Sequence, residues 1–598
     1  MCGIIGYNGT KSPLSVVATG LKNLEYRGYD SAGIALSDGG IEVYKQEGEI
    51  DDLELPESTD AACGIGHTRW STHGEPTDAN AHPHTDCPGR IAVVHNGIIE
   101  NYDALKDDLS DHEFTSETDT EVIPHLLEEV YDGEDLVGAV QAVAPRLEGS
   151  YAFAVTAADS DGMVAARMDS PLVVGHGEDG NFVASDVTAF LEHTREVSYL
   201  EDGDVVSVTA DGVTVHDAEG TADRPVQTVD WEADAAEKGG YDHYMLKEIH
   251  EQPRSLRQTL SGRVDAVDGD VDLDLDMPEQ YLQSVTEIQI VACGTSYHAG
   301  LYAKQLVEDL ANVRASVHVA SEYEFNGGRD PWRTLVLAVT QSGETADTLS
   351  AMREAARAGA RTLAVTNTVG STAAREADDV VYIRAGPEIG VAATKTFAAQ
   401  VTTLSLLSVF LGRERGRLSA DEASELLENA RGLPGAIQQI LDVEDDIKGV
   451  AEEYVDGDAF FFIGRKLGCP VALEGALKLK EISYAHAEGF AAGELKHGTL
   501  ALVTPDTPVL AVLTEGATPQ ATLNNVKEVE SRGAPVIGVS SYDPAEKYLD
   551  AAFEVPDLGR LEPLLANIYL QLFAYHVAKL KGRSIDKPRN LAKSVTVE

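Results

Sequence analysis

Ile288-Gln-Ile-Val-Ala-Cys-Gly294 and Leu335-Val-Leu-Ala-Val-Thr340, with their later counterparts Ala459-Phe-Phe-Phe-Ile-Gly464 and Val509-Leu-Ala-Val-Leu513, decide the fold of the C-terminal part of this chain. Each run is apolar without polar alternation, so both faces of the strand must be covered. That is the pattern of a parallel sheet flanked by helices. Long amphipathic stretches alternate with these runs, and Leu363-Ala-Val-Thr366 finds its own echo in Val536-Ile-Gly-Val539. Strand–helix–strand order recurring at near-constant spacing predicts two copies of one doubly wound α/β unit. The Glu-, Ala- and Leu-rich stretch Ala420–Leu441 reads as the helix joining them.

Upstream the texture differs. Ala32–Leu36, Ile91–Val94, Ala152–Thr156, Leu172–Gly175 and Gly203–Val208 are short strands broken by Gly and Asn turns. Helices are expected near Ser12–Leu24 and Glu121–Glu129. Many strands with few helices predict a layered α+β domain up to about residue 230. The polar, Gly-ended stretch Asp230–Gly240 reads as a linker.

At 598 residues the chain is too long for one core, and 43% hydrophobic content supplies material for several. No apolar stretch reaches the roughly 18 residues of a membrane span, and no basic region precedes an apolar block at the N-terminus. A soluble, cytoplasmic protein is expected. Five scattered cysteines argue for reduced thiols rather than a disulfide framework. The net charge of −54 excludes the basic footprint of a nucleic-acid binder. Because the acids are spread along the chain, they suit a surface that must stay solvated at high salt, as in a halophile.

The N-terminus itself carries chemistry. If Met1 is removed, Cys2 holds a thiol and a free α-amine on one residue, with ordinary pKa values near ~8.5 and ~7.7–8.0. One can then serve as base for the other, the N-terminal-nucleophile arrangement. A carbonyl attacked by Cys2 needs its oxyanion stabilised, and the Asn96 amide with the unhindered N–H of Gly97 fits that job. Asp119 and Arg69 are available for the ammonium and carboxylate of an α-amino acid. Competing readings are an Asn-Gly hairpin turn, a surface ion pair at Arg69 and a helix N-cap at Asp119. The density of His and Cys at Cys63, His67, His73, His82, His84, Cys87 and His95 raises a zinc alternative. Neither a Cys-x-x-Cys pair nor a His-Glu-x-x-His helix supports it, so no metal is expected.

MCGIIGY, LEYRGYDSAG, HTRWSTHG, HNGIIENY and SETDTEV together resemble the glutaminase domain of N-terminal-nucleophile amidotransferases. The resemblance implies an αββα fold with Cys2 as nucleophile and its own amine as base. It also implies Arg69 and Asp119 on glutamine, Asn96 and Gly97 as oxyanion hole, and Trp70, Thr72 and His73 lining the site.

In the C-terminal half, Thr340-Gln-Ser-Gly-Glu-Thr345 opens straight into a helix, and Cys293-Gly-Thr-Ser296 ends the preceding strand. Hydroxyls, a glycine and helix-start N–H groups make a phosphate cradle, to which Thr295 and Ser296 can add. A plain N-cap is the competing reading. The second copy has Thr514-Glu-Gly-Ala-Thr518 there, with an acid in place of hydroxyls, so only the first copy is expected to hold phosphate. Glu474, Lys478 and Glu481 share one helical face, which on an exposed helix is an ordinary ion-paired surface. Lys593 lies in the polar tail Asp586–Glu598, where a mobile lysine can deliver a Schiff base.

VTQSGETADTL, EGALKLKEISY, AAGELKHG and DKPRNLAKSVTVE stand in the order found in the isomerising glutamine–fructose-6-phosphate aminotransferase family, which the whole chain resembles. The resemblance implies a sugar phosphate held by Thr295, Gln341, Ser342 and Thr345, with Thr340 and the backbone of Val391 nearby. It gives ring opening to His497, imine formation to Lys593, and the proton shuttle between C1 and C2 to Glu481, supported by Glu474 and Lys478. The substrates would be L-glutamine and fructose 6-phosphate, without a cofactor, in a homodimer whose sugar sites borrow His497 from the other subunit. The expected division is glutaminase 1–230, linker 231–241, sugar-isomerase-type domains 242–420 and 421–580, and a catalytic tail 581–598. Thr340, His298 and Thr499 depart from the family's usual serine, asparagine and proline; for His298 the sequence offers no reading. A phosphoribosyl-type amidotransferase would need an acidic ribose-phosphate loop, and a sugar-phosphate-sensing regulator a DNA-binding helix-turn-helix. Neither is present in the sequence.

Overall fold

Why the first strand is buried at every position becomes clear from its place in the sheet. Gly3–Gly9 runs between Cys63–Arg69 and Gly180–Ala184, antiparallel to both, in an eight-stranded sheet. The description comes from a computed structural model that covers residues 2–70, 74–229, 238, 240–328 and 330–596. Successive side chains of a strand point to opposite faces. Ile5 therefore packs with Val17 and Leu21 of the helix Pro13–Leu24. Ile4 packs on the other face with Ala92, Val94, Ala152 and Ala154 of a second, seven-stranded sheet. Burying each such side chain stabilises by about 1.5–3 kcal/mol. Beyond the second sheet lie Val122–Val130 and Leu136–Val143, whose Ile123, Leu126, Val140 and Val143 close its outer face. The layers run helix, sheet, sheet, helix, as the N-terminal reading expected.

The expected helices are present as Pro13–Leu24 and Val122–Val130. Two more, Tyr102–Asp108 and Leu136–Val143, were not anticipated. The second is capped by Asp135, whose carboxylate accepts the Gly138 N–H at 2.8 Å. Both are only about two turns long, too short for a clear 3.6-residue period.

The chain divides into two compact units, Met1–Ala236 with Ala592–Glu598, and Glu237–Leu591. The second holds two five-stranded parallel sheets. In the first the order is Arg314–Val319, Glu287–Ala292, Thr334–Val339, Arg361–Thr366, Asp379–Tyr382. In the second it is Ala487–Ala491, Phe460–Gly464, Val509–Leu513, Val536–Ser540, Ala551–Glu554. Numbered within each copy, both read 2-1-3-4-5, so the repeat seen in sequence is a repeat of topology. Ala420–Leu441 is a helix over the expected span, opened by a capping box in which Ser419 and Glu422 exchange hydrogen bonds. A 2-1-3-4-5 sheet reverses its winding between strands one and three, and ligands bind outside the carboxyl ends of those two strands. In the first copy these ends are Ala292 and Val339, followed by Cys293–Ser296 and Thr340–Thr345. Among the described residues no helix is long and apolar enough to cross a membrane.

Candidate active sites

Cys2 heads the strand Gly3–Gly9, and Arg69 ends its neighbour Cys63–Arg69, so antiparallel pairing brings the two together. The Trp70 N–H donates to Cys2 Sγ at 3.2 Å, and the thiol lies 3.4 Å from the Trp70 carbonyl oxygen. Burial pushes the thiol above its ordinary pKa, opposed by the Trp70 hydrogen bond and the Arg69 charge. Removing Met1 would place the α-amine on this same residue, where a base for the suppressed thiol is needed; Met1 lies outside the described residues.

Asn96 and Gly97 do not form a hairpin. They lie within the strand Ile91–Ile99, paired with Gly149–Ala157. The Asn96 amide nitrogen donates to the Cys2 carbonyl oxygen at 3.0 Å, which sets this donor beside Cys2. Gly97 has φ +126°, and a Cβ there would lie 2.0 Å from the Ser150 carbonyl oxygen, so only glycine fits. Arg69 is buried rather than in a surface ion pair; it donates to the carbonyls of Gly74 (3.2 Å) and Glu75 (3.4 Å). Burial lowers its pKa, and Cys2, Asp30 and Asp119 oppose that, which places all three within its field. Asp119 is not a helix N-cap. It opens the short turn Asp119–Glu121, is buried, and accepts the Ile99 N–H at 2.8 Å. Thr72 and His73 lie outside the described residues.

Sequence reasoning missed one positioning group, His67. Its Nε2 lies 3.1 Å from Asn96 Oδ1. An amide oxygen only accepts, so Nε2 carries the proton and fixes which end of Asn96 faces Cys2. Burial drives the His67 pKa down to about 3, so the ring stays neutral. The signal was present: His67 and Arg69 are two apart on one strand and share a face. His67 stacks on His82 at 4.2 Å, which also accounts for part of the histidine density seen in the sequence.

In the second unit the loop Thr340–Thr345 closes on itself. The Gly343 N–H donates to Thr340 Oγ1 (3.2 Å), the Glu344 N–H donates to Ser342 Oγ (3.1 Å), and Thr345 lies at the N-cap of Ala346–Ala358. Gly343 has φ +71°, and a Cβ would meet Ser371 Oγ at 2.1 Å. The Gln341 carbonyl accepts the Asn367 N–H (3.1 Å), while Val391 donates its own N–H to the Asp586 carbonyl (3.1 Å). The Ser296 hydroxyl is engaged by Gln400 at 2.9 Å.

The stripe on the helix Gly468–Ser483 is not a solvated surface. Glu474 and Lys478 are both 0% exposed. Lys478 Nζ lies 2.6 Å from Glu481, 3.4 Å from Glu474 and 3.1 Å from Thr295 Oγ1. Thr295 in turn donates to Glu474 at 3.0 Å, which links the first α/β copy to the second. Burial works against the Lys478 charge, but Glu481 and Glu474 outweigh it and hold the pKa above its ordinary value. Glu474 is itself buried, yet Lys478 and then His298 hold its carboxyl below the usual range. His298 thereby acquires a role that the sequence withheld: its Nδ1 lies 2.8 Å from Glu474 Oε2.

Near the end of this helix, Tyr484 adopts φ +58° and its hydroxyl accepts the Arg589 N–H at 2.8 Å. Asp586 caps the other side of that segment, accepting the N–H groups of Tyr244 and Met245 at 2.9 Å each. His497 is exposed at the end of the short turn Ala492–His497, ahead of Thr499–Leu502. Lys593 is half-buried in the stretch 592–598, which clusters with the N-terminal unit.

A four-layer domain with a cysteine at its first strand, followed by a tandem parallel α/β pair with a hydroxyl-rich loop at one switch point, defines an amidotransferase coupled to sugar-isomerase-type domains. Family models agree: a glutamine amidotransferase domain matches residues 67–192, and a SIS domain matches twice, at 281–409 and 455–580. A glutamine–fructose-6-phosphate aminotransferase (isomerizing) from Halobacterium salinarum is 62% identical, with all of both chains covered. Namesakes from Methanosarcina acetivorans and Thermus thermophilus are each 50% identical over both full lengths. The solved C-terminal domain of glucosamine-fructose-6-phosphate aminotransferase from Francisella tularensis is 37% identical, with a TM-score of 0.55 over 59% of this chain and 100% of that one. The chain belongs to the isomerizing glutamine–fructose-6-phosphate aminotransferase family.

Proposed function

We propose that this enzyme converts fructose 6-phosphate and L-glutamine into glucosamine 6-phosphate and glutamate, with Cys2 as the source of the ammonia. With Met1 removed, the Cys2 α-amine takes the thiol proton and the thiolate attacks the carboxamide carbon of glutamine. Charge builds on the carboxamide oxygen, which the Asn96 amide and the Gly97 N–H receive. The amine proton passes to the leaving nitrogen, ammonia departs, and water cleaves the thioester to glutamate. Arg69 and Asp119 hold the α-carboxylate and α-ammonium, and Trp70, Thr72 and His73 wall the pocket.

Ammonia then passes internally to the sugar. Thr295, Ser296, Thr340, Gln341, Ser342, Thr345 and the backbone of Val391 hold the phosphorylated ketose, His497 opens its ring, and Lys593 forms the imine at C2. Ammonia displaces the Lys593 amine from C2 to give the free imine, and Glu481 then moves the proton from C1 to C2, which leaves an aldehyde at C1 and a free amine at C2. Lys478 holds the Glu481 carboxylate by an ion pair at 2.6 Å, and Glu474 and His298 keep Lys478 in place. The enzyme is cytoplasmic and works as a homodimer; the exposure of His497 on its own chain supports its use by a neighbouring subunit. The working division is 1–230, 231–241, 242–420, 421–580 and the tail 581–598.

The observation that carries this reading is Cys2 held by Trp70 and bonded by Asn96, with Arg69 beside it. Cys2→Ala is expected to abolish glutamine-driven synthesis while sugar-phosphate isomerisation stays measurable. Glutamine-driven synthesis that survives Cys2→Ala would overturn the mechanism.

A further inference from the structure

Four side chains distant in sequence converge on the outer side of the N-terminal domain. Cys87 lies in the turn between His84–Thr85 and Ile91–Ile99, and His112 follows the helix Tyr102–Asp108. His125 and Glu128 sit three apart, on one face of Val122–Val130. One ligand atom from each lies within 4.8 Å of all the others. Cys87 Sγ is 3.6 Å from His112 Nδ1 and 3.7 Å from His125 Nδ1. Glu128 Oε2 is 3.1 Å from His112 Nδ1 and 3.6 Å from His125 Nδ1.

These separations have a chemical meaning. A tetrahedral zinc ion with Zn–S near 2.3 Å and Zn–N or Zn–O near 2.0–2.1 Å has ligand-to-ligand edges of about 3.3–3.6 Å. The four measured edges, 3.1–3.7 Å, lie within about 0.2 Å of that set. The donors are one thiol, two imidazoles and one carboxylate, which suit zinc and not an all-oxygen cation such as magnesium or calcium. On the far side of His125, Nε2 is buried and faces Glu121 Oε1 at 3.9 Å. A carboxylate behind a ligating imidazole is the usual second layer of a zinc site, setting ring orientation and basicity. Cys87 is exposed, His112 and Glu128 are half-buried and His125 is buried, so the group has an entry path.

We propose that Cys87, His112, His125 and Glu128 form a structural zinc site. Its four protein ligands close the coordination sphere, so it holds structure and performs no chemistry on substrate. It ties the turn ahead of Ile91–Ile99, which carries Asn96 and Gly97, to the helix that follows Asp119. The site is a clamp on the two walls of the glutamine pocket. The sequence hid it because only Cys87 stood in the Cys/His-rich stretch, and its partners follow 25, 38 and 41 residues later.

The test uses the full chain carrying Cys2→Ala, in molar potassium chloride to suppress loose uptake by acidic surface; the Cys87→Ser comparison controls for the half-buried thiols of Cys293 and Cys469. After chelator treatment, Co2+ is titrated anaerobically. One equivalent is expected to bind with intense visible bands of four-coordinate cobalt and a near-ultraviolet thiolate charge-transfer band, both bleached by one equivalent of Zn2+. Adding Cys87→Ser should remove the charge-transfer band, and His112→Ala should weaken binding at least tenfold. Because Cys87 is exposed and His112 half-buried, neither change empties a core. Zinc should also raise the melting temperature of the parent chain but not of the Cys87→Ser chain. Cobalt uptake that does not saturate at one equivalent, or that is the same with and without Cys87, would overturn the proposal and leave a metal-free ion-paired cluster.

Discussion

Replacing Lys478 by Met tests the electrostatics of the sugar site most directly. Lys478 and Glu474 are both 0% exposed, and the ammonium lies 2.6 Å from Glu481 and 3.4 Å from Glu474. Removing one partner of a buried ion pair costs about 3–5 kcal/mol, because the remaining charge has no water to turn to. Protonation sets a ceiling on that cost. Neutralising one carboxyl of ordinary pKa near 4.3 at pH 7 costs about 2.7 × 1.36, or about 3.7 kcal/mol. Glu474 would take this route, since burial, the largest influence on its pKa, raises it and is opposed only by His298 and Thr295 once Lys478 is gone. In the variant the folded-state pKa of Glu474 then exceeds its unfolded value. The folded form binds the extra proton, so the penalty shrinks as pH falls, by about 2.7 kcal/mol between pH 7 and pH 5. Urea unfolding of the full chain, followed by circular dichroism at both pH values, reads this out. Lys478→Met with Glu474→Gln should recover about 2–3 kcal/mol of the loss, because the stranded charge is then absent. A variant as stable as the parent at pH 7, or a penalty indifferent to both pH and Glu474→Gln, would refute the argument.

Three further outcomes can be checked. Gly97→Ala places a methyl group 2.0 Å from the Ser150 carbonyl at φ +126°, and should cut glutaminase kcat by about 100- to 1000-fold, the usual cost of one oxyanion donor, with ammonia-driven isomerisation unchanged. His67, held near pKa 3 by burial, should show a neutral Nε2–H tautomer by nitrogen-15 NMR from pH 5 to 9; a titration in that window would be wrong for the Asn96 geometry. With a net charge of −54, the unfolding midpoint should rise steeply between 0.1 and 2 M potassium chloride, as the Debye length falls from about 10 Å toward about 3 Å. A flat salt response would count against the acidic surface as an adaptation to salt.

The architecture was legible where periodicity is strong. Uninterrupted apolar runs announced parallel strands, their recurrence announced a second copy, and the composition of Ala420–Leu441 marked it as a helix. The two-turn helices Tyr102–Asp108 and Leu136–Val143 were not legible, because so few turns carry little periodic signal. Among the candidate site groups, those inside short contiguous motifs could be proposed from sequence: Cys2, Asn96-Gly97 and Thr340–Thr345. Those defined by what they touch could not. His67 matters because it orients Asn96, and His298 because a helix from the other α/β copy presents Glu474 to it.

The sequence alone therefore determined the order of units, the repeat, the cysteine at position two and the line of Glu474, Lys478 and Glu481 along one helix. All of these follow from local spacing. Only the tertiary structure decided that this line is buried rather than solvated, that Asn96-Gly97 is a strand rather than a turn, and that Cys87, His112, His125 and Glu128 meet. The physical reason is the same in each case. Burial and convergence depend on which segments pack together, and that is a property of the folded chain that no single stretch of residues carries.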